Sequence, residues 1–374
     1  MKVGFYSPLP PARTGVADYS SLLLSALRAV STGDDVEVNA ANADVNLYHI
    51  GNNQLHLEIY RQALERPGVV VLHDAVLHHF FLGTLSEAEY ISEFTYNYGP
   101  WTEDLARELW RRRARSAADA QYFRYPMLRR IAQRSRSVVV HNPAAAAMVK
   151  QHVPDAVIHE IPHLFQAPEL PPPYDVIRTR QQLGVPAQTF LFAVFGHLRE
   201  SKRLPAILRA FHRARQSASM TLLISGEFAS TDLARSLEPL LQAGGILRAG
   251  YAEERDFWLR ASVVDACVNL RYPTAGETSG IAIRLMGIGK PVLLSAGCET
   301  ARFPDSACIK IDGGMAEDQM LTESMIWLAR YPSDARVIGE RAAEHIREFH
   351  NPQRVAKLYW KALVPTSPVF GADR

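Results

Sequence analysis

The chain alternates short apolar runs with longer amphipathic ones over most of its length. Lys2–Tyr6, Val45–His49, Val69–His73 and Ser137–His141 are β-rich and bounded by polar or Gly/Pro punctuation, so each predicts a strand. Tyr19–Val30 carries its apolar residues at helical spacing. The pattern restarts further on. Phe190–Phe195, Met220–Ser225, Val263–Leu270 and Pro291–Ser295 predict strands, interleaved with helices over Leu204–Gln216, Leu233–Ala243 and Gly280–Ile288. Ser333–Lys361 has helical spacing, broken by His350–Pro352. Short uninterrupted apolar strands that alternate with helices call for parallel sheets covered on both faces.

Two interruptions divide this pattern. Leu85–Arg136 is long, aromatic and charged, and predicts helical insertions between strands of the first sheet. Pro162–Tyr174 (PHLFQAPELPPPY) is Pro-rich and predicts a linker. The expectation is an α/β protein of two Rossmann-like, doubly wound domains, residues 1–168 and 169–349, with a terminal helix at about 350–365 that returns to the first. A length of 374 residues agrees, because single cores seldom grow that large. Two such sheets facing each other leave a cleft, and open parallel sheets bind ligands where their strands end.

Composition narrows the classes. Hydrophobic residues make up 47% of the chain and charged ones 21%, enough for two cores in a water-soluble protein. A net charge of +2 gives no footprint for nucleic acid, so none is expected as a partner. The three cysteines, Cys267, Cys298 and Cys308, form no C-x-x-C pair, and no histidines have zinc-site spacing. Neither a disulfide framework nor a metal is expected. The N-terminus lacks a signal-peptide stretch, and no apolar run could span a bilayer, so a cytoplasmic protein is expected. The basic run Arg111, Arg112, Arg113 and Arg115 fits either a solvated helix face or a peripheral contact with an acidic membrane surface.

The candidate chemistry lies in loops after strands. In Arg271–Val292 (RYPTAGETSGIAIRLMGIGKPV), Glu277, Thr278, Ser279 and Gly280 sit where a helix begins. Unpaired N–H groups and the helix dipole make such an end an anion site, to which Thr278 and Ser279 add hydroxyls. Ser279 reads equally as an ordinary N-cap. After Phe190–Phe195 come Gly196, His197, Leu198, Arg199, Glu200, Ser201, Lys202 and Arg203, a loop in which Lys202 and Arg199 could meet phosphate. After the first strand, PLPPARTGVADY places Gly15 in a turn and Asp18 in a first helical turn, as an acceptor ligand or as a simple dipole-compensating acid. VVVLHDAVLHH puts His73 and Asp74 at a strand end, a substrate contact and its orienting partner, with His78 and His79 on the following helix. His141 with Asn142, and His49 with Gly51–Asn53, are similar strand-end loops. The chain lacks G-x-G-x-x-G after its first strand, which argues against a dinucleotide dehydrogenase.

The run P-T-x-G-E-T-S-G followed by a helix and G-x-P-V (Gly289, Lys290, Pro291, Val292) resembles the signature of family-4 glycosyltransferases of the GT-B fold, which usually reads E-G-F-G, a helix with a second Glu, then G-x-P-V. The resemblance implies that Glu277 contacts donor-sugar hydroxyls, that Thr278–Gly280 meet the diphosphate, and that Lys202 neutralises the leaving group. It also implies a His-Asp pair, here His73 and Asp74, near the reacting sugar. Two positions depart from the pattern. His197 stands where the phosphate loop usually has Arg, with Arg199 available to supply that charge. Arg284 stands, one residue early, where a Glu usually holds the ribose. A guanidinium donates hydrogen bonds and cannot accept them from a ribose diol, so a phosphate is the better partner for Arg284.

The expected function is therefore retaining transfer of a sugar from a nucleoside diphosphate sugar to a carbohydrate, lipid-linked or small-molecule acceptor hydroxyl. The chain has no Asp-x-Asp signature, so metal-independent chemistry and no cofactor beyond the donor are expected. The alternatives are a non-catalytic sugar-nucleotide-binding subunit and another GT-B enzyme such as a sugar-nucleotide epimerase.

Overall fold

The computed structural model describes residues 1–364 except Thr32 and Ala187. The chain divides into two compact units, the first of residues 1–110, 125–164 and the C-terminal segment from 351, the second of residues 111–124 and 165–350. Each is built on a six-stranded, wholly parallel sheet.

In the first unit the strands are β1 (Lys2–Tyr6), β2 (Asp35–Val38), β3 (Val45–Ile50), β4 (Val69–Leu72), β5 (Ser137–Val140) and β6 (Ile158–Glu160), ordered β2-β1-β3-β4-β5-β6. The helix Gly15–Val30 packs its apolar stripe (Leu23, Leu27) on one face, together with Val355 and Tyr359 of the helix Pro352–Leu363. The hydroxyls of Tyr19 and Tyr359, both buried, lie 2.7 Å apart and tie these two helices together. The insertion folds as helices over Glu87–Tyr98, Glu103–Arg112 and Arg129–Arg134.

The second unit contains β7 (Phe190–Phe195), β8 (Met220–Ser225), β9 (Ile246–Ala249), β10 (Ala266–Asn269), β11 (Val292–Ser295) and β12 (Ile309–Ile311), ordered β12-β11-β10-β7-β8-β9. Every residue of β7 and β8 is buried, because helices cover both faces. Leu204–Ala214 and Glu317–Arg330 pack on one face, through Ile207, Phe211, Leu321 and Met325. Gly280–Gly287 and Pro332–Phe349 pack on the other, through Ile283, Met286, Ala342 and Ile346. The expected linker is only partly one, since a helix, Pro173–Gln182, begins inside it with a proline in its first turn.

Strand order reverses between β1 and β3 in the first unit and between β7 and β10 in the second. Loops diverge at such a switch point, and the carboxyl ends of its strands frame the binding crevice of a doubly wound sheet.

Candidate active site

The second unit's switch point brings together the two motif loops that follow β7 and β10. Gly196 leaves β7 at φ +86°, and Gly226, at the end of β8, packs directly on it. A Cβ at Gly226 would stand 2.1 Å from the Gly196 carbonyl oxygen, so only glycine lets the two backbones touch. The loop then turns through Glu200–Lys202 and returns Lys202 beneath its own strand. Lys202 is 5% exposed and donates to the Phe195 carbonyl oxygen. Burial is the main cause that pushes its ammonium down to about 7, helped by the nearby positive charges of Arg271 and Arg199 and opposed by Cys267 and Glu277. Arg203 makes two hydrogen bonds to Glu317, so it serves the fold and not a ligand. His197 and Arg199 are exposed.

The loop after β10 is bound to the β7 loop by the Tyr272 N–H, which donates to the Ser201 carbonyl oxygen at 2.8 Å. Glu277 is about one-sixth exposed. Its Oε2 accepts from the Ala275 N–H (2.8 Å) and the Thr274 hydroxyl (3.2 Å), while its Oε1 lies 3.2 Å from Arg271 Nη1. Ser279 is the N-cap of the helix Gly280–Gly287, its Oγ accepting from the Ala282 N–H and, at 2.6 Å, from Asn269 Nδ2. Both of those bonds use its oxygen, which leaves its O–H to donate. Glu277, Ser279 and Lys202 thus all stand on the loops that follow β7 and β10, with Glu277 close enough to favour the charged form of Lys202 and Ser279 capping the helix Gly280–Gly287.

Arg284 is placed otherwise. Its Nη2 donates to both carboxylate oxygens of Glu254 at 2.7 Å, and its guanidinium lies 4.0 Å from the Phe257 ring centre and 4.4 Å from that of Trp258. The helix Glu254–Val263 therefore takes up the charge that was expected to reach a phosphate.

At the carboxyl edge of the first unit's sheet, the ring of Tyr19 is ringed by His73, His141 and His163, with centroids 4.9, 5.3 and 4.6 Å away. His49 Nδ1 and His73 Nε2 lie 3.0 Å apart and share one proton. His141 Nδ1 donates to the Ile161 carbonyl oxygen and His56 Nδ1 to that of His49, both at 2.9 Å. The buried Nε2 atoms of His49, His56 and His141 have no hydrogen-bond partner. Burial holds all four imidazoles neutral: His56 and His141 are pushed down to about 4, and His49 and His73 go well below the ordinary histidine range, reinforced by repulsion from neighbouring histidines. Asp74 accepts from the Asn52 N–H at 2.8 Å.

The remaining expected contacts differ in placement. His78 is fully buried, its Nε2 2.7 Å from the Tyr90 hydroxyl and its ring beside Phe94 and Tyr125, so it stands in an aromatic core. His79 follows it in the same helix, His78–Thr84, and is half-buried. Asp18 is exposed in the first turn of Gly15–Val30, capped by Thr14. Gly15 has no atom within 4 Å of where a Cβ would stand, so its backbone stays approachable. Sequence reasoning left Arg271, Asn269, His56, His163 and Tyr19 without a role. The available signal was position, since Asn269 and Arg271 flank the end of a central strand at the switch point.

No protein-family model and no curated relative matches the chain. Solved structures do. HepE from Anabaena, determined with UDP and glucose, superposes with a TM-score of 0.68 at 15% identity over 97% of this chain and 99% of its own. The fold is GT-B. Sucrose-phosphate synthase from Thermosynechococcus elongatus (TM-score 0.67, 14% identity, 96% and 98% covered) is similar to the chain to the same degree. WaaG, a glycosyltransferase of lipopolysaccharide biosynthesis, is similar at TM-score 0.60 and 15% identity (95% and 99% covered). No helix among the described residues is long and apolar enough to cross a membrane.

Proposed function

We propose that the protein is a glycosyltransferase that moves a sugar from a nucleoside diphosphate sugar to an acceptor hydroxyl, with retention and without a metal. The observation that carries this reading is Lys202, an ammonium buried at the switch point of a GT-B sheet, beside a helix N-terminus and a half-buried carboxylate. A doubly wound sheet holds its ligand at that place, and a buried cation with a single neighbouring acid suits an anion. HepE was solved with UDP-glucose, so a UDP-sugar is the first donor to test.

In this reading Lys202, the N–H groups of Thr278–Gly280 and the Ser279 O–H receive the charge that develops on the leaving diphosphate. Preorganised donors of this kind are each worth ~3–4 kcal/mol of barrier. Glu277 holds the sugar hydroxyls while the anomeric carbon gains oxocarbenium character. The departing phosphate takes the acceptor proton on the same face, so no side chain acts as nucleophile. His73, oriented by its neighbours, is the proposed contact to the reacting sugar, with Asp74 fixing the adjoining loop through Asn52. His141, His79 and Asp18 are the proposed acceptor-side contacts.

The second reading is a non-catalytic sugar-nucleotide-binding subunit. It is favoured by Arg284, which replaces an acid of the family pattern and is bound to Glu254. A thermal-shift panel of UDP, GDP, ADP, CDP and their sugars, followed by acceptor-free incubation with the best donor, separates the two. The enzyme releases nucleoside diphosphate slowly, whereas a subunit binds and releases none. No stabilisation by any member of the panel would reject both.

A further inference from the structure

The β10 loop contains a second cation that the family pattern does not assign. Arg271 lies two residues beyond the end of β10, and its backbone N–H is anchored on Ser295 Oγ at 2.9 Å, at the end of β11. The side chain is about one-quarter exposed, and it lies close enough to Lys202 to oppose that lysine's protonation. Nη1 reaches Glu277 Oε1 at 3.2 Å, while the buried Nε has no hydrogen-bond partner. A buried guanidinium N–H without an acceptor is costly, and a guanidinium presents Nε–H and Nη–H as a planar fork matched to phosphate oxygens. Glu277, which faces two cations, already accepts from Ala275 and Thr274. The cluster therefore lacks acceptor oxygens and negative charge, both of which a diphosphate supplies.

Resting on the function proposed above, we propose that Arg271 is a diphosphate-binding residue that also positions Glu277: Nε–H donates to a non-bridging phosphate oxygen while Nη1 stays on the carboxylate. This restores on the β10 loop the charge that His197 leaves out of the β7 loop, where Arg199 is exposed. It also couples leaving group to sugar, because one guanidinium touches the phosphate and the acid that holds the hydroxyls. Arg271→Lys keeps the charge but loses the fork, so it retains phosphate affinity in part and loses the hold on Glu277.

The test is calorimetric titration of the full chain with UDP, inorganic pyrophosphate and uridine. Arg271→Gln is expected to weaken UDP and pyrophosphate by about 10- to 100-fold and leave uridine unchanged, since hydrogen bonds to charged groups carry that much discrimination. Arg271→Lys is expected to lose less than half as much on the logarithmic scale and to lower kcat more than it raises KM. Equal affinity of wild type and Arg271→Gln for pyrophosphate overturns the proposal alone. Equal losses for uridine and UDP do so too, because a misfolded loop would not distinguish phosphate. If wild-type protein binds neither UDP nor pyrophosphate, the reading of the site fails and the proposal with it.

Discussion

On the proposed function, donor binding should be coupled to protonation of Lys202. In the unliganded protein its ammonium is pushed from 10.5 down to about 7, chiefly by burial and then by Arg271. A diphosphate seated against it would supply the missing counter-charge and return the group toward its ordinary value. The lysine is about half protonated at about pH 7 and about one part in a hundred at about pH 9, so affinity for a UDP-sugar should fall ~50-fold across that interval, or ~2.3 kcal/mol. The diphosphate of a UDP-sugar does not titrate there, so the slope reports the protein. Calorimetry at about pH 8, repeated in two buffers of different ionisation enthalpy, should show nearly one proton taken up per donor bound. Lys202→Met should bind weakly at every pH and show no proton uptake. An affinity independent of pH over this range, or uptake that persists in Lys202→Met, would refute the assignment.

The same burial has a stability consequence. Well below about pH 7 Lys202 is charged in the folded and unfolded states and carries the whole burial penalty; as pH rises through about 7 toward 10.5 only the folded protein sheds the proton, and the penalty is relieved. Lys202→Met should therefore stabilise the fold at neutral pH, by at most about 5 kcal/mol less the lost bond to Phe195, and so raise Tm even as donor binding is lost; a lowered Tm in thermal unfolding would contradict this. The imidazoles of His49, His56, His73 and His141 are held below their unfolded values, so their neutral burial stabilises the fold above about pH 6.5 and is lost as pH falls beneath it. Between about pH 7.5 and 5.5 each should cost about 1 kcal/mol, and circular dichroism should show Tm falling steeply; a flat Tm would mean that they are not buried neutral. Gly226→Ala places a methyl against the Gly196 carbonyl at φ +151° and should cost ~2–3 kcal/mol while displacing the β7 loop; a variant with unchanged Tm and donor affinity would show that the contact is not needed.

Much of the fold was legible in the sequence, and the omissions share a cause. The interior strands β1, β3, β4, β5, β7, β8, β10 and β11 are mostly buried and read as largely apolar runs. The four strands missed, β2, β6, β9 and β12, are the sheet edges. Their segments DVEV, IHE, ILRA and IKI are short and half-exposed, and a solvated edge imposes no continuous hydrophobic pattern. The motif loops were legible for a similar reason, since each follows an interior strand at or beside a switch point. Charge pairing was not. Arg284 was expected at a phosphate and pairs with Glu254; Arg203, beside Lys202, pairs with Glu317. Those carboxylates come from distant segments, and no spacing within a motif encodes them. His78, expected on the acceptor side, lies in a core beside Tyr90, and a histidine at a helix start looks the same in sequence whether it turns outward or bonds to a core tyrosine. The role proposed for Arg271 rests on its unfilled Nε and on Lys202 beside it, neither of which any spacing in the sequence encodes.

The donor chemistry proposed at the β7–β10 switch point can be read from acceptor-free turnover. Wild-type protein incubated with the UDP-sugar that stabilises it most should release UDP slowly and steadily. Glu277→Gln should release it about 100-fold more slowly, a loss much larger than its change in stability, while Lys202→Met should bind too weakly to turn over. Release by Glu277→Gln at the wild-type rate, or no release by wild type with any sugar nucleotide that binds, would contradict the central claim.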